Sequence, residues 1–203
     1  MRNMQGTLIA LVCAAGVSAC SAQSKTTAPP PPTVQSSITS TEKGGSRQQA
    51  ITVTATVESV NAAERLVTLR GPNGDTNTVR VSDEVRNLPQ VKRGDHVVAT
   101  YYESIAYEVI APGDAKPGIS GTGATARAPL GEKPAGLGAR EITLVADVEK
   151  LDAADRTAVL RGPQGQVIEV NVQNPTVFDK VKVGDRVQIT YTEAIAIDVH
   201  PAK

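Results

Sequence analysis

The sequence predicts an all-β protein made of two homologous units, and three observations support this prediction. Residues 51–109 and 142–199 align with one single-residue gap near Ser82, and 26 of the 58 aligned positions are identical. Both copies alternate apolar and polar residues with the period of two that is typical of β-strands. Gly- and Pro-containing turn sequences separate the alternating runs. This degree of identity indicates a tandem duplication.

Turns separate the first three strands of each unit: the first turn is predicted at Asn61–Glu64 or Asp152–Asp155, and the next follows Val67 and Leu69 of the second strand. Val53, Ala55 and Val57 are the apolar positions of the first strand in the first copy. Segments 70–74 and 161–165 read Arg-Gly-Pro-Asn-Gly and Arg-Gly-Pro-Gln-Gly. Because Pro presets φ and Gly supplies a positive φ, both segments are typical of hairpin loops.

Three further strands and a short helix complete the predicted unit. A third alternating run ends near Val81, and two more include Val97 and Ile105. Between the third and fourth strands of the second copy, Asn174-Pro175 is typical of an N-cap followed by Pro at the first helical position. Five strands with a short helix between strands 3 and 4 is the plan of a five-stranded OB-like barrel, with an SH3-like barrel as the alternative.

The remaining segments predict the domain boundaries. Residues 1–19 are a signal peptide, and residues 20–50, with four consecutive prolines, are expected to form a disordered tether. β-barrel repeat 1 covers 51–110, a Gly/Ala/Pro-rich linker covers 111–140, and β-barrel repeat 2 covers 141–203. The linker is long enough to let the repeats separate or pack together.

The N-terminus indicates export. Leu8–Val17 is an apolar run that is too short for a stable membrane span. The following Val17-Ser18-Ala19-Cys20 resembles the lipobox of bacterial lipoprotein signal peptides. The resemblance implies a lipid attached to Cys20, and Ser21 after it favours the outer membrane, facing the periplasm. The alternative is an ordinary secretory signal cut near Ala19.

Composition excludes several classes of function. Without Arg2, the chain from Cys20 onward has 21 − 1 = 20 basic and 21 acidic residues, so it lacks the basic excess of a nucleic-acid binder. Beyond Cys20 there is no further cysteine, hence no disulfide and no thiol nucleophile. No catalytic set of residues is recognisable, and we expect no enzymatic activity and no cofactor.

The strings TATVESVNAAERLVTLRGPNG and VKRGDHVVATYYE resemble the small exported β-barrel domains of uncharacterised bacterial lipoproteins. They are also distantly similar to the copper-binding barrels of periplasmic efflux systems. Those barrels hold metal with Met, His and Trp, whereas this chain beyond the signal offers only His96 and His200. We therefore expect no metal site.

Glu103 and Glu193 are the first candidate binding residues. They occupy aligned positions and share strand parity with Tyr101 and Tyr191, so strict alternation places them on the core side. Either a bulge turns them outward, or arginines neutralise them. The arginines considered are Arg70 and Arg161, or Arg65 and Arg156.

Two tyrosines and two aspartates complete the set. Tyr102 and Tyr107 are candidates for an exposed apolar or aromatic contact patch. Asp95 and Asp185 lie in Gly-Asp turns, where Asp commonly bonds local backbone.

Together these features favour a non-enzymatic lipoprotein of the cell envelope. We expect a scaffold or binding module that is held at the membrane by its lipid and engages an envelope protein or polymer. A periplasmic small-ligand or metal-ion binding protein is the alternative. Each repeat has a small core, so pairing between the two repeats is expected to stabilise both.

Overall fold

The computed structural model describes residues 28–202, and this part of the chain is all-β and antiparallel. The strands of the first half are β1 (Thr33–Ser40), β2 (Gly44–Asn61), β3 (Leu66–Arg70), β4 (Thr76–Arg80) and β5 (His96–Ile110). Those of the second half are β6 (Gly118–Arg127), β7 (Ala135–Asp152), β8 (Thr157–Arg161), β9 (Val167–Asn171) and β10 (Arg186–His200). Between residues 28 and 202, no helix is long and apolar enough to span a membrane.

The ten strands form one continuous sheet with matching halves. Its order is β4-β3-β2-β5-β10-β7-β8-β9, with β1 added to β2 and β6 added to β7. β5 and β10 pair along their whole length, from Arg186 opposite Ile110 to His200 opposite His96. Glu103 lies directly opposite Glu193, its aligned residue. The two halves are therefore related by a pseudo-twofold axis, which passes between Glu103 and Glu193.

Each half has its own core, and the other half completes it. The first core contains Val57, Leu88 and Val91 of the first half together with Val199 of β10. The second contains residues of β7, β8 and β10 together with Val109 of β5. Both long central strands thus begin in one core and end in the other.

Equivalent bulges and turns bend the two halves alike. β2 shifts register between Val57 and Ser59, and β7 shifts between Val148 and Lys150. In the first half, the N–H of Gly94 donates to the Val57 carbonyl at 2.8 Å, in a turn where Gly94 has φ +90°. A positive φ of this size favours glycine over residues with a Cβ.

The aspartates of these turns play the local role that the sequence predicts. Asp95 Oδ2 accepts from the Lys92 N–H at 2.7 Å, and Asp185 Oδ2 accepts from the Lys182 N–H at 2.8 Å. Both carboxylates thereby close their own turns.

The connections before β5 and β10 each contain a short 3-10 helix, at Leu88–Gln90 and Pro175–Asp179. The second follows the predicted cap, since Asn174 Oδ1 accepts from the Thr176 N–H at 3.1 Å. Both stretches are short because they only turn the chain back towards the sheet.

The prediction of a disordered tether over 20–50 is wrong for its later part, because β1 occupies Thr33–Ser40 and β2 begins at Gly44. Edge strands of this kind need backbone partners rather than a core, so polar composition does not exclude them. Gly44 allows this close pairing, since a Cβ there would clash with the Tyr107 carbonyl oxygen. Residues 20–27 lie outside the described part.

The structureless linker predicted over 111–140 is likewise wrong. β6 spans Gly118–Arg127, and β7 already begins at Ala135. The Gly- and Ala-rich sequence forms an edge strand along β7, where backbone pairing compensates for the small side chains.

The predicted fourth and fifth strands are one strand in each half, β5 and β10. Alternation continues through Glu103 and Glu193 with no shift in register. Within residues 28–202, β4 pairs only with β3 and β9 only with β8, so neither half closes into a five-stranded barrel.

Candidate functional site

The four long strands β2, β5, β10 and β7 have one polar and one apolar face. Directly paired residues share a face, and Thr52 with Thr100 marks the polar one, their hydroxyls 3.0 Å apart. Tyr102 also lies on the polar face, where its hydroxyl donates to Gln48 Oε1 at 3.0 Å. Tyr107 belongs to the opposite face. The two tyrosines therefore do not form the common patch considered from the sequence.

Between the two cores, the apolar face is open to solvent. Eight large aliphatic side chains on it are between 39% and 75% exposed. They are Val34, Ile38, Val53, Ile105, Ile119, Ile142, Ile195 and Ile197. We call this surface the central face. Exposed aliphatic clusters of this size commonly mark interaction surfaces.

Glu103 and Glu193 lie at the middle of the central face. Glu193 forms an ion pair with Arg140, whose Nη2 lies 2.6 Å from Glu193 Oε2, and Glu193 raises the pKa of Arg140. Opposite Glu103, the position aligned with Arg140 is Gln49. Of the two facing carboxylates, Glu193 thus has an arginine partner, whereas Glu103 has a glutamine opposite it.

Three of the four arginines considered from the sequence have other partners, and within residues 28–202 Arg156 forms no ion pair with either glutamate. Arg70 pairs with Glu58, Arg161 with Glu149 and Arg65 with Asp83. The structure shows no bulge at the two glutamates, so the predicted side-chain direction is the one observed.

Tyr101 and Tyr191 flank the glutamates. Tyr101 is paired with Ile195, and Tyr191 with Ile105. Partial burial, the adjacent Tyr101 hydroxyl and the carboxylates of Glu103 and Glu193 raise the pKa of Tyr191 to about 12. These tyrosines are not among the candidates predicted from the sequence, although their identity in both copies and their shared parity with the glutamates are signals for them.

The second half contains an apolar cavity of about 550 Å³. Val148, Leu160 and Val177 of the second core line it, together with Tyr107 of β5 and Ile38 of β1. This cavity is not predictable from the sequence, because one of its walls is built by β1, in the segment predicted to be a tether.

The two histidines meet across the central strand pair. His96 is opposite His200, and its Nδ1 lies 3.4 Å from Thr56 Oγ1. His200 Nε2 lies 3.4 Å from Asp198 Oδ2. Among the described residues, no three His, Cys, Asp or Glu side chains are grouped as metal ligands would be. Cys20, the predicted lipid site, lies outside residues 28–202.

Comparison with protein-family models finds no match for this chain, and comparison with curated proteins finds none either. Its function is therefore inferred from the central face, the cavity and the N-terminal sequence.

Proposed function

We propose that the protein is a non-enzymatic binding module of the bacterial cell envelope, anchored by a lipid on Cys20. The support for anchoring is Val17-Ser18-Ala19-Cys20 after a short apolar run. Two or three acyl chains would hold the protein stably at a membrane. Ser21 favours the outer membrane, with the β-structure in the periplasm.

We further propose that each half derives from an OB-like barrel unit, with an SH3-like unit as the alternative. Support comes from the bulged first strand, the following hairpin, and the 3-10 turn before the long last strand. In this proposal the unit is opened where β5 and β10 join the two copies.

The central face is proposed as the surface that engages an envelope protein. The observation that carries this proposal is the cluster of eight exposed aliphatic side chains around Glu103 and Glu193. Branched aliphatic side chains pack well against apolar protein surfaces. Recognition of a sugar polymer would instead favour aromatic rings, of which the chain has one Phe and four Tyr. A protein partner fits this surface better than a polymer.

Photo-crosslinking in the native envelope tests the central face. A photoreactive residue at position 195 should give a defined adduct with one envelope protein, whereas the same residue at 194, on the polar face, should not. Ile105→Asp should then abolish the adduct formed from 195. An adduct of equal yield from both positions, or an adduct only with a second copy of this chain, would contradict the proposal.

The anchor has a separate test. Cys20→Ala should release the protein from membranes or stall its processing, because the thiol that accepts the lipid is gone. Intact-mass analysis of the wild-type protein should show acylation at Cys20. An unmodified mature Cys20 would refute lipid anchoring.

Small-ligand binding is the second candidate function, and the cavity of the second half favours it. Ligand pockets are mostly apolar, with a few polar groups that orient the ligand. The metal-ion variant of this alternative receives less support, since within residues 28–202 no three His, Cys, Asp or Glu side chains are grouped as metal ligands would be.

A further inference from the structure

The cavity of the second half has the composition of a site for a flexible apolar chain. Its walls are aliphatic, with Val148, Leu160 and Val177 deep inside and Ile38 at the open side. Its volume of about 550 Å³ lies within the usual range of small-molecule sites. Because apolar cavities hold water poorly, an apolar ligand gains by entering.

In the first half, the corresponding space is closed by a loop that belongs to the second half of the chain. Loop 128–134, between β6 and β7, lies against the connection that carries Leu88 and Val91. Asn87 Nδ2 donates to the Pro129 carbonyl at 2.5 Å, and Lys133 Nζ donates to the Gln90 carbonyl at 2.8 Å. Lys133 also pairs with the buried Asp95.

The second half lacks these contacts. In the second half, the position of loop 128–134 is taken by the short turn 41–43 between β1 and β2. Asn174 is the N-cap residue of the 3-10 helix in the second half, as Asn87 is in the first, but its Oδ1 accepts from Thr176 instead of its side chain fastening a loop. The two copies therefore differ in a way that matters for binding. Loop 128–134 covers the core of the first half, whereas the cavity of the second half is open.

Charge at the rim indicates the polar end of the ligand. Arg47 is the one charged residue among those lining the cavity, and no carboxylate of residues 28–202 lies within ion-pair distance of its guanidinium. Asn171, Gln173 and Asn174 add neutral polar groups to the lining. An exposed arginine beside an apolar cavity favours an anionic head group.

We propose that the cavity of the second half binds one long-chain fatty acid, with the acyl chain among the valines and the carboxylate at Arg47. The aliphatic walls and the volume fit a flexible chain, and the single cation fits a carboxylate. The cavity shares Ile38 and Ile105 with the central face, but the tests below probe Val148, Leu160, Val177 and Val170, which are not central-face residues, so either proposal can fail without the other.

Methyl NMR of the full chain tests the site without changing the cavity. The protein carries Cys20→Ser, which removes the predicted acylation site and leaves every described residue unchanged. Palmitate, added below the concentration at which it aggregates, should shift methyl signals of Val148, Leu160 and Val177 saturably. The aligned core methyls of Val57 and Leu69 should not move. Absent shifts, or equal shifts in both halves, would overturn the proposal.

A matched pair of variants then locates the site. Val170→Phe narrows the cavity and should weaken palmitate binding by at least about tenfold, the effect of a misfit in an apolar pocket. Val79→Phe makes the same change at the aligned position of the covered half and should leave binding unchanged. Circular dichroism checks that both variants fold. Equal losses in the two variants would refute the assignment.

Arg47 has its own comparison. Arg47→Gln should weaken palmitate binding by about two- to fivefold, as expected for an exposed charge pair. Binding of hexadecanol, which has the same chain without the charge, should not change. If Arg47→Gln binds palmitate as the wild type does, the proposed carboxylate contact is wrong.

Discussion

Single residues determine the electrostatics at the centre of the sheet. Glu103 and Glu193 face each other across β5 and β10, an arrangement of like charges that destabilises a strand pair. Arg140 neutralises the charge of Glu193 in an ion pair, whereas Gln49, opposite Glu103, has no charge to pair with that carboxylate. The two halves, alike in backbone, are therefore electrostatically unequal at their shared centre.

Gln49→Arg should correct this inequality. The new guanidinium can pair with Glu103 as Arg140 pairs with Glu193, and the melting temperature should rise by about 1–3 °C, the effect of one exposed ion pair. Differential scanning calorimetry measures the change. The control is the same substitution in a Glu103→Gln background, where no gain is expected. A gain of equal size in that background would show that the pairing is not its cause.

The facing histidines give a prediction about metal ions. His96 and His200 provide two nitrogens, whereas tight zinc sites have at least three protein ligands. Calorimetric titration of the full chain with zinc or copper should therefore show no sub-micromolar site. A tight stoichiometric isotherm that His96→Ala abolishes would contradict this expectation.

At the scale of elements, alternation and turn chemistry predict the strands that build the cores. The Gly-Asp turns and the cap at Asn174 are also readable, because their contacts are local in sequence. β1 and β6 cannot be predicted from side-chain alternation, since backbone hydrogen bonds with β2 and β7 hold them in place. The cavity was missed for the same reason, and the fusion of two strands at Glu103 depends on pairing with the other copy.

Loop 128–134 is the element that distinguishes the halves, and loss of its ion pair with Asp95 should lower the free energy of unfolding. Lys133→Ala takes the cation from Asp95, whose side chain is 4% exposed. A buried charged acceptor that loses a partner costs about 1–3 kcal/mol. Chemical denaturation should report a loss of this size. Lys182→Ala, in the turn of the open half where Asp185 is paired only with backbone, is the matched control and should change stability little.

The same contact predicts a pH dependence. Burial alone would raise the pKa of Asp95, but the Lys133 ammonium and the Lys92 N–H outweigh it, and the pKa lies below its usual value of 3.8. A carboxyl with a lowered folded pKa contributes stability that is complete above about pH 3.8 and is lost as the pH falls through the folded value. Melting temperatures of wild type and Lys133→Ala should therefore converge below pH 3.8. A constant difference down to pH 2 would show that the ionised carboxylate is not the cause.

The whole molecule is one sheet with two cores, and each core includes a residue of the other half. The sequence predicts that the repeats pack through aliphatic faces, whereas the structure joins them by backbone pairing along β5 and β10. Val199 enters the first core and Val109 enters the second. Because each core includes a valine of the other half, separation of the two halves removes apolar contacts as well as hydrogen bonds.

Division of the chain between residues 112 and 113 tests this interdependence. The halves 28–112 and 113–203 should each melt at a lower temperature than the full chain, because each loses the β5–β10 pairing and one core valine. The first half should lose more, since loop 128–134, which covers its core, stays with the second. Mixing the two halves should restore the missing stability, which a merely truncated, damaged fragment would not regain. If both halves alone keep the melting temperature of the full chain, the sheet is not continuous in solution and the units are independent domains.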